Sequence, residues 1–326
     1  MDRIVVTRRP PGRALDMLAP HGEVWVWPHN RPMNHNRLVE EVVTATGLYC
    51  MLTDTITAAV VAAAPKLRVI SQMAVGVDNI DLEACLARRI PVGHTPDVLT
   101  ETTADTAFGL LIAGARRFRE GLADVTLGRW GDWDPDYLVG HDISGSTLGI
   151  IGFGRIGQAV ARRAGGFDMR ILYTQRRRNP ASEVATGAVY ADLLSLLADS
   201  DHVVVATPLN ESTRHLIGHQ ELEMLRPTAT LINISRGPVV DTDALVEALR
   251  SGSIAAAALD VTDPEPLPAD HPLASMSNCF ILPHLGSASV RTRQAMAELA
   301  ARNLVAGLAG RPLEAAVSDP LRGAKP

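Results

Sequence analysis

The chain has 326 residues, 46% hydrophobic and 21% charged, which is enough for two globular domains. A formal net charge of −5 argues against a nucleic-acid surface, and no apolar run reaches the roughly 18 residues of a membrane span. The three cysteines lack C-x-x-C spacing, which favours buried thiols over a disulfide framework. We therefore expect a cytoplasmic protein with no signal peptide, no metal site and no nucleic-acid or membrane partner.

The N-terminal part of the chain alternates short apolar runs with helical patterns. The predicted strands are 4–7, 23–27, 47–52, 67–71 and 90–93, and the predicted helices are 12–19, 36–43, 57–64 and 81–88. This alternation predicts a parallel, doubly wound sheet. The turn from Met73 to Asp78 follows the fourth strand, and loops at that end of a strand hold ligands in such sheets.

A long helical segment and an irregular one come next. Residues 95–117 predict a helix capped by Thr100 or Thr102, where the chain crosses into a second domain. Residues 128–146 are polar but contain three aromatic residues, Trp130, Trp133 and Tyr137. Because only 4% of the chain is aromatic, we expect this segment to pack against a partner subunit.

Residues 147–157 carry the most informative motif, the run TLGIIGFGRIG. A short apolar strand leads into G-x-G-x-x-G and then a helical pattern, which is the arrangement that binds a dinucleotide pyrophosphate at a helix N-terminus. Gly152 permits the tight turn, Gly154 admits the pyrophosphate, and Gly157 lets helix and strand pack closely. The predicted cofactor-binding positions here are Gly152, Phe153, Gly154, Arg155, Ile156 and Gly157.

The end of the next strand distinguishes between the two nicotinamide cofactors. An NAD-binding fold places Asp or Glu about 20 residues after the glycines to hold the ribose 2′-hydroxyl. Strand 170–174 is instead followed by Gln175, Arg176 and Arg177. Because arginine binds phosphate in a bidentate way, these residues predict a preference for NADP(H), with NAD(H) as the alternative.

Three polar segments lie at the ends of later strands, which are predicted at 202–206, 230–235, 256–261 and 280–282. These segments carry Arg236, Glu265 and His284. Each residue alone is ambiguous. Because the carboxyl ends of parallel strands share one sheet edge, the three together favour a reacting group beside the cofactor.

Six runs of the chain resemble the D-isomer-specific 2-hydroxyacid dehydrogenases. They are VGVDNIDLEA, TPDVLTETTA, GIIGFGRIGQAVARR, INISRGPVVD, LDVTDPEPLPADHPL and ILPHLGSAS. Within that family, the resemblance is strongest to the enzymes that reduce glyoxylate and hydroxypyruvate. The resemblance implies an α/β fold of two Rossmann-like domains with a cleft between them, and a homodimer formed through the nucleotide-binding domain.

The order of the predicted elements gives the domain limits. We expect a flavodoxin-like substrate domain from residues 1–96 and 290–326, to which a final helix at 289–308 returns. Residues 97–289 are then the NAD(P)-binding Rossmann domain.

The catalytic residues implied by the resemblance are Arg236, Glu265 and His284. Reduction of a 2-oxo acid needs a proton donor, for which His284 is suited, and Glu265 favours the protonated imidazolium. Arg236 can hold the substrate carboxylate and polarise its carbonyl. The other implied substrate contacts are the backbone N–H groups of Val75 and Gly76, Ser287, and Trp133. The other implied cofactor contacts are Thr207, Pro208, Ile234, Asp260 and Gly286.

Two alternatives stay open at this stage. One is another member of the family, a phosphoglycerate, formate or phosphite dehydrogenase, although we expect no regulatory C-terminal extension of the kind that phosphoglycerate dehydrogenases often carry. The other is a nucleotide-sensing corepressor or scaffold, because one fold serves several functions.

Overall fold

The short apolar runs of the sequence form the strands of two parallel sheets in the computed structural model, which describes residues 1–318. The sheets belong to two units. One contains Met1–Leu99 and the segment that begins at Ala288, and the other contains Thr100–Ser287. The predicted α/β class with two doubly wound sheets is confirmed. Among the described residues, no helix is long and apolar enough to cross a membrane.

The first unit has a six-stranded sheet in the order β13-β5-β4-β3-β1-β2 within the described part of the chain. Its strands are β1 (Arg3–Val6), β2 (Glu23–Val26), β3 (Gly47–Cys50), β4 (Val69–Gln72), β5 (Val92–Gly93) and β13 (Ala316–Ser318). Its helices are α1 (Ala14–Leu18), α2 (His35–Val42), α3 (Ala58–Ala63), α4 (Leu82–Ala87) and α13 (Val290–Leu308), with a 3₁₀ turn at Ala19–His21. Strand β13 was not predicted and pairs antiparallel with β5, whereas β1 to β5 pair in parallel.

Helix α13 covers β3 and β4 of this sheet through polar as well as apolar contacts. The Tyr49 hydroxyl donates to the Ala297 carbonyl at 3.1 Å, and the Ser71 hydroxyl donates to the Ala300 carbonyl at 2.7 Å. Both hydroxyls are buried, so each needs such a partner.

The second unit has a seven-stranded parallel sheet in the order β12-β11-β10-β9-β6-β7-β8. Its strands are β6 (Thr147–Ile151), β7 (Arg170–Thr174), β8 (Val189–Tyr190), β9 (His202–Val205), β10 (Thr230–Asn233), β11 (Ala256–Leu259) and β12 (Cys279–Ile281). Its helices are α5 (Thr100–Ala115), α6 (Phe118–Thr126), α7 (Arg155–Gly165), α8 (Pro180–Thr186), α9 (Leu193–Asp199), α10 (His219–Glu223), α11 (Thr242–Ser251) and α12 (Pro272–Ser275), with a 3₁₀ turn at Gly237–Val239.

The strand order reverses at β6, since the chain continues to β7 on one side and later returns to β9 on the other. In open α/β sheets the crevice outside the carboxyl ends at such a reversal binds ligands. Strands β9, β10 and β11 are buried on both faces, which explains why their sequences lack the apolar–polar alternation of a half-exposed strand.

The segment after α5 differs from a simple loop. Arg117 adopts a left-handed conformation with φ 57°, which ends α5 and begins α6, a helix that the sequence did not predict. Further on, Trp130 and Trp133 are 71% and 86% exposed. These rings therefore do not pack within the chain, and their contact with a partner stays a prediction.

Candidate active site

The glycine turn after β6 has the shape that its sequence requires. Gly152 has a φ of +95°, and a Cβ there would lie 2.7 Å from the backbone of Ala206 and Thr207 at the end of β9. The Phe153 carbonyl accepts a hydrogen bond from the Gln158 side chain at 3.0 Å, which fixes the turn. A Cβ on Gly154 would meet nothing within 4 Å, so open space lies over this residue.

Helix α7 starts in this open space with its N-terminus uncapped. Gly154 is the N-cap and supplies no side-chain hydrogen bond, Arg155 is the first residue of the helix, and Arg162 and Arg163 lie in its last turn. Free N–H groups and the helix dipole favour an anion at such an end, so the turn fits a dinucleotide pyrophosphate. The Phe153 side chain is buried and stacked on Tyr173 with ring centroids 4.1 Å apart, which leaves only its backbone for that role. Ile156 also packs on the core, whereas Arg155 is exposed.

Three arginines follow β7, and among the described residues only one of them forms an ion pair. Arg178 binds both carboxylate oxygens of Glu183, at 2.7 and 2.8 Å. The side chains of Arg176 and Arg177 are exposed and make no ion pair with the described residues. Gln175 donates to the Arg177 carbonyl at 2.6 Å.

Two further segments line the same sheet edge. Thr207 and Pro208 come shortly after β9, and the backbone of Thr207 lies beside Gly152. The Thr213 hydroxyl donates to the Pro208 carbonyl at 2.7 Å. Ile234 follows β10 and is nearly buried.

The turn that carries Arg236 is held by the buried side chain of Asn233. The Asn233 amide donates to the Arg236 carbonyl at 3.0 Å, and its oxygen accepts from the Ser235 N–H and hydroxyl at 3.0 and 2.8 Å. The half-buried Arg236 side chain also donates to the Ser235 carbonyl at 2.9 Å. Asn233 was not predicted as a site residue, although its place at a strand end could have indicated it.

Glu265 and His284 form a direct pair, with His284 Nδ1 2.7 Å from Glu265 Oε1. Burial alone would raise the pKa of Glu265, but the hydrogen bond from His284, the charges of His284 and Arg236 and the Thr262 N–H together hold that pKa below its usual range. Arg236 is thus close enough to act on the pair electrostatically. The predicted trio lies together at one sheet edge.

Asp260 fixes the loop that carries His284. Its carboxylate oxygens accept from the N–H groups of Leu285 and Gly286 at 2.6 and 2.8 Å, and its carbonyl accepts from the His284 N–H at 2.9 Å. His284 has a φ of 56°, an uncommon conformation for a residue with a side chain, and these three bonds hold it there. A Cβ on Gly286 would lie 2.8 Å from the Asp260 carboxylate, so the loop needs glycine there. Asp260 and Gly286 were expected to contact the cofactor, and the sequence alone did not indicate this clamp.

Two predicted substrate residues of the second unit, Ser287 and Trp133, take no part in these hydrogen bonds. Ser287 is half-buried next to Gly286 and ends the second unit. Trp133 makes no hydrogen bond or ring contact with the described residues of its own chain. Within residues 1–318, no group of three or more His, Cys, Asp or Glu side chains is placed to hold a metal ion.

In the first unit, three consecutive carbonyls of the turn at Val75 and Gly76 are each held by a hydrogen bond. The Ala74 carbonyl accepts from the Thr95 N–H at 2.8 Å, that of Val75 from His94 Nδ1 at 2.9 Å, and that of Gly76 from the Gln72 amide at 2.5 Å. Because C=O and the following N–H point opposite ways in a trans peptide, the N–H groups of Val75 and Gly76 point away from these anchors.

Those N–H groups find no acceptor among the described residues, so the turn presents free donors suited to an anion. The side-chain amides of Gln72 and Asn79 each donate a 2.8 Å hydrogen bond to the other, and this pair supports the turn. His94, Gln72 and Asn79 were not predicted as site residues, because their contacts form only when the turn is folded.

Comparisons with known proteins agree with this arrangement. A family model described as D-isomer specific 2-hydroxyacid dehydrogenase, NAD binding domain, matches residues 108–286. The chain is 48% identical over 308 residues to the glyoxylate reductase of Thermococcus gammatolerans, covering 93% of this chain and 92% of that protein. It is 46% identical over 315 residues to the human glyoxylate reductase/hydroxypyruvate reductase, covering 95% and 96% of the two chains.

Solved structures show the same fold. A crystal structure of a protein from Thermus thermophilus aligns with a TM-score of 0.90 at 46% identity, covering 97% of this chain and 100% of the other. An NADPH-dependent glyoxylate/hydroxypyruvate reductase from Sinorhizobium meliloti, solved with NADP and malonate, aligns with a TM-score of 0.84 at 32% identity, covering 98% and 97%. Because the family model spans more than half of the chain and the relatives match nearly all of it, the chain belongs to the D-isomer specific 2-hydroxyacid dehydrogenases, a family of enzymes.

Proposed function

We propose that this enzyme uses NADPH to reduce small 2-oxo acids, glyoxylate to glycolate and hydroxypyruvate to D-glycerate. The observation that carries the proposal is the 2.7 Å pair of His284 and Glu265 at the sheet edge that also holds the open glycine turn. The names of the Thermococcus and human relatives, glyoxylate reductase and glyoxylate reductase/hydroxypyruvate reductase, support the substrate class.

His284 acts as the proton donor in this proposal. A carboxylate oxygen can only accept, so Nδ1 of His284 carries the proton of the Glu265 bond and Nε2 is left to protonate the substrate oxygen. NADPH, when bound along the glycine turn, supplies the hydride for the carbonyl carbon. Arg236 attracts the substrate carboxylate and stabilises charge on the carbonyl oxygen. We assign the same carboxylate as the anion for the N–H groups of Val75 and Gly76, with Ser287 as a further substrate contact.

Initial-rate oxidation of NADPH with glyoxylate and with hydroxypyruvate tests the reaction directly. His284→Ala should lower kcat by roughly 100- to 10,000-fold, the usual worth of a positioned general acid. His219→Ala is the matched control, because His219 is an exposed histidine on α10 outside this group and should leave kcat unchanged. Nearly full turnover by His284→Ala would refute the assignment.

The exposed cations after β7 support NADPH as the preferred cofactor. Arg176 and Arg177 are free to bind a 2′-phosphate, whereas Arg178 is occupied by Glu183. No carboxylate stands among residues 175–178 to repel that phosphate. The NADP complex of the Sinorhizobium meliloti enzyme supports the same cofactor, and NAD(H) remains the alternative.

The ratio of kcat/KM for NADPH to that for NADH measures this preference. The double variant Arg176→Gln/Arg177→Gln should lower the ratio by at least about tenfold, the worth of a lost charge-assisted hydrogen bond. Arg178→Gln removes one charge from the same run and should change the ratio far less. Equal efficiency of the unsubstituted enzyme with both cofactors would contradict the preference.

We also propose that the enzyme is a homodimer formed through its nucleotide-binding unit. Helix α6 exposes Phe118, Leu122 and Val125, which are spaced to form one apolar face of the helix. Trp130 and Trp133 follow this helix in the chain, and both are largely exposed. A second copy of the chain would cover these side chains, and Trp133 would then contribute to the substrate side of the partner's site.

A further inference from the structure

One aspartate of the second unit joins the two ends of an exposed loop, residues 129–137. The carbonyl of Asp124, on helix α6, accepts from the Arg129 N–H at 2.8 Å. One carboxylate oxygen of Asp124 accepts from Arg129 Nε at 2.7 Å, and the other accepts from the Tyr137 hydroxyl at 2.6 Å. The Tyr137 and Arg129 bonds lower the pKa of Asp124 below its usual range, so the carboxylate is charged near neutral pH.

Asp124 is also what anchors this loop to the rest of its chain. In the described part of the chain, every hydrogen bond and ion pair between residues 129–137 and other residues goes to Asp124. The other bonds of the loop are internal, from the N–H groups of Asp136 and Tyr137 to Asp134 at 2.8 and 3.2 Å. Without the carboxylate of Asp124, the base of the loop would open on the side of Tyr137.

The loop carries two tryptophans that its own chain does not cover. Trp130 and Trp133 are 71% and 86% exposed. Large apolar rings on a surface indicate contact with a partner, and a loop that is ordered beforehand binds with a smaller loss of conformational entropy. The bonds to Asp124 supply that order before any partner arrives.

We propose that Asp124 is a positioning residue that holds Trp133 for the substrate site of the partner subunit. This inference rests on the proposed function, in which Trp133 of one copy contributes to the site of the other. A loop that has lost Asp124 reaches its closed form only part of the time, and the apparent affinity for the substrate falls by that fraction. Asp124 thus affects substrate binding without contacting the substrate.

Fluorine NMR of the full chain labelled with 5-fluorotryptophan observes the loop directly, and Trp133→Phe assigns the signal of Trp133. In the unsubstituted protein this signal should be broadened and displaced from that of free 5-fluorotryptophan. Asp124→Ala removes the carboxylate and keeps a strong helix former on α6, so the signal should sharpen and move towards the free position. Asp136→Ala is the matched control, because the Asp136 side chain lies in the same loop, makes no hydrogen bond with the described residues and should leave the signal unchanged.

A double-mutant cycle on the KM for hydroxypyruvate connects the order of the loop with substrate binding. Trp133→Ala should raise this KM by about tenfold, the cost of removing a central aromatic contact. Asp124→Ala should raise it by about threefold if the freed loop is closed about one third of the time, with kcat nearly unchanged. In the double variant, Asp124→Ala should add nothing to Trp133→Ala, because a loop without its ring has nothing left to position.

A smaller change covers the case in which Asp124→Ala does not fold. Tyr137→Phe removes one hydroxyl from an exposed ring and keeps the Arg129 bonds. The Trp133 signal should move in the same direction as in Asp124→Ala, and KM should rise by a smaller factor.

Three results would overturn the proposal. They are a Trp133 signal that Asp124→Ala leaves unchanged, effects of Asp124→Ala and Trp133→Ala on KM that multiply in the double variant, and dissociation of the dimer by Asp124→Ala in light scattering. The fluorine signal needs no turnover, so it tests Asp124 whichever acid the enzyme reduces. Absence of glyoxylate and hydroxypyruvate reduction by the unsubstituted enzyme would instead refute the proposed reaction.

Discussion

At the scale of single residues, the backbone conformation and ring orientation of His284 are set by its neighbours. Asp260 holds its backbone in a left-handed conformation from one side, and Glu265 binds Nδ1 from the other. A free histidine would sample several ring orientations, whereas this one presents Nε2 in a single direction. Asp260 and Glu265 therefore act through His284, as positioning residues.

Substitution of Glu265 should change both the rate and its pH dependence. Its pKa is held below the usual range, so the carboxylate stays charged throughout the neutral range and supports an imidazolium at His284. Glu265→Gln keeps a hydrogen-bond acceptor but removes that charge. We expect kcat for glyoxylate reduction to fall by roughly 100-fold, the cost of a misplaced catalytic group.

The pH profile separates this role from a structural one. The pKa of the Glu265 carboxyl is held below its usual range, so the unsubstituted enzyme should lose rate as acid protonates Glu265, and Glu265→Gln should lack that loss in acid. Glu247→Gln, an exposed change on α11, is the control. A lower rate with the same loss in acid would mean that the charge of Glu265 is not what the reaction needs.

At the scale of elements, the turn after β4 depends on a histidine that comes from the next strand. His94 fixes the Val75 carbonyl and so aims the Gly76 N–H. A donor that binds the substrate carboxylate equally in the ground and transition states affects KM and leaves kcat nearly unchanged. His94→Phe should therefore raise KM for glyoxylate by about tenfold, the worth of one hydrogen bond to a charged group.

Two variants make this prediction specific. His94→Asn places an amide donor near the position of Nδ1 and should recover part of the lost affinity. His21→Phe changes an exposed histidine of the same unit and should leave KM unchanged. An unaltered KM in His94→Phe would show that the orientation of the turn does not depend on His94.

Glu183 of helix α8 forms an ion pair with Arg178 that acid should break, and Tyr173 connects this pair to the glycine turn. Glu183 accepts from Arg178 and, at 2.6 Å, from the hydroxyl of Tyr173, whose ring stacks on Phe153. The Arg178 and Tyr173 bonds lower the pKa of Glu183 from 4.5 to about 2. A lowered folded-state pKa stabilises the protein above the unfolded value, and this stabilisation is lost as pH falls from 4.5 towards 2.

Urea unfolding of Glu183→Gln measures that contribution. The variant should unfold at lower urea concentration than the unsubstituted protein at pH 7, and the difference should shrink steadily below pH 4.5. Glu211→Gln is the control, because the exposed Glu211 side chain makes no hydrogen bond with the described residues. A difference that is independent of pH would mean that the charge of Glu183 is not what stabilises α8.

At the scale of the whole molecule, the sequence predicted what is encoded locally and missed what depends on distant pairing. The buried strands could be predicted because strands of a parallel sheet are mostly apolar. The turn at Gly152 could be predicted because its backbone requires glycine. Strand β13 has no local pattern and forms only by pairing with β5. The clamp of Asp260 joins residues 25 positions apart, so no local pattern indicates it.

The apolar face of α6 leads to a prediction about assembly. Leu122 is 66% exposed at the centre of that face, so Leu122→Glu would place a charge inside a dimer interface but in solvent on a monomer. Light scattering with size-exclusion chromatography should show a dimer for the unsubstituted protein and a monomer for Leu122→Glu. Leu86→Glu is the matched control, because Leu86 is 57% exposed on α4 of the first unit and should leave the dimer intact. A monomeric unsubstituted protein, or a dimer that withstands Leu122→Glu, would exclude this face as the interface.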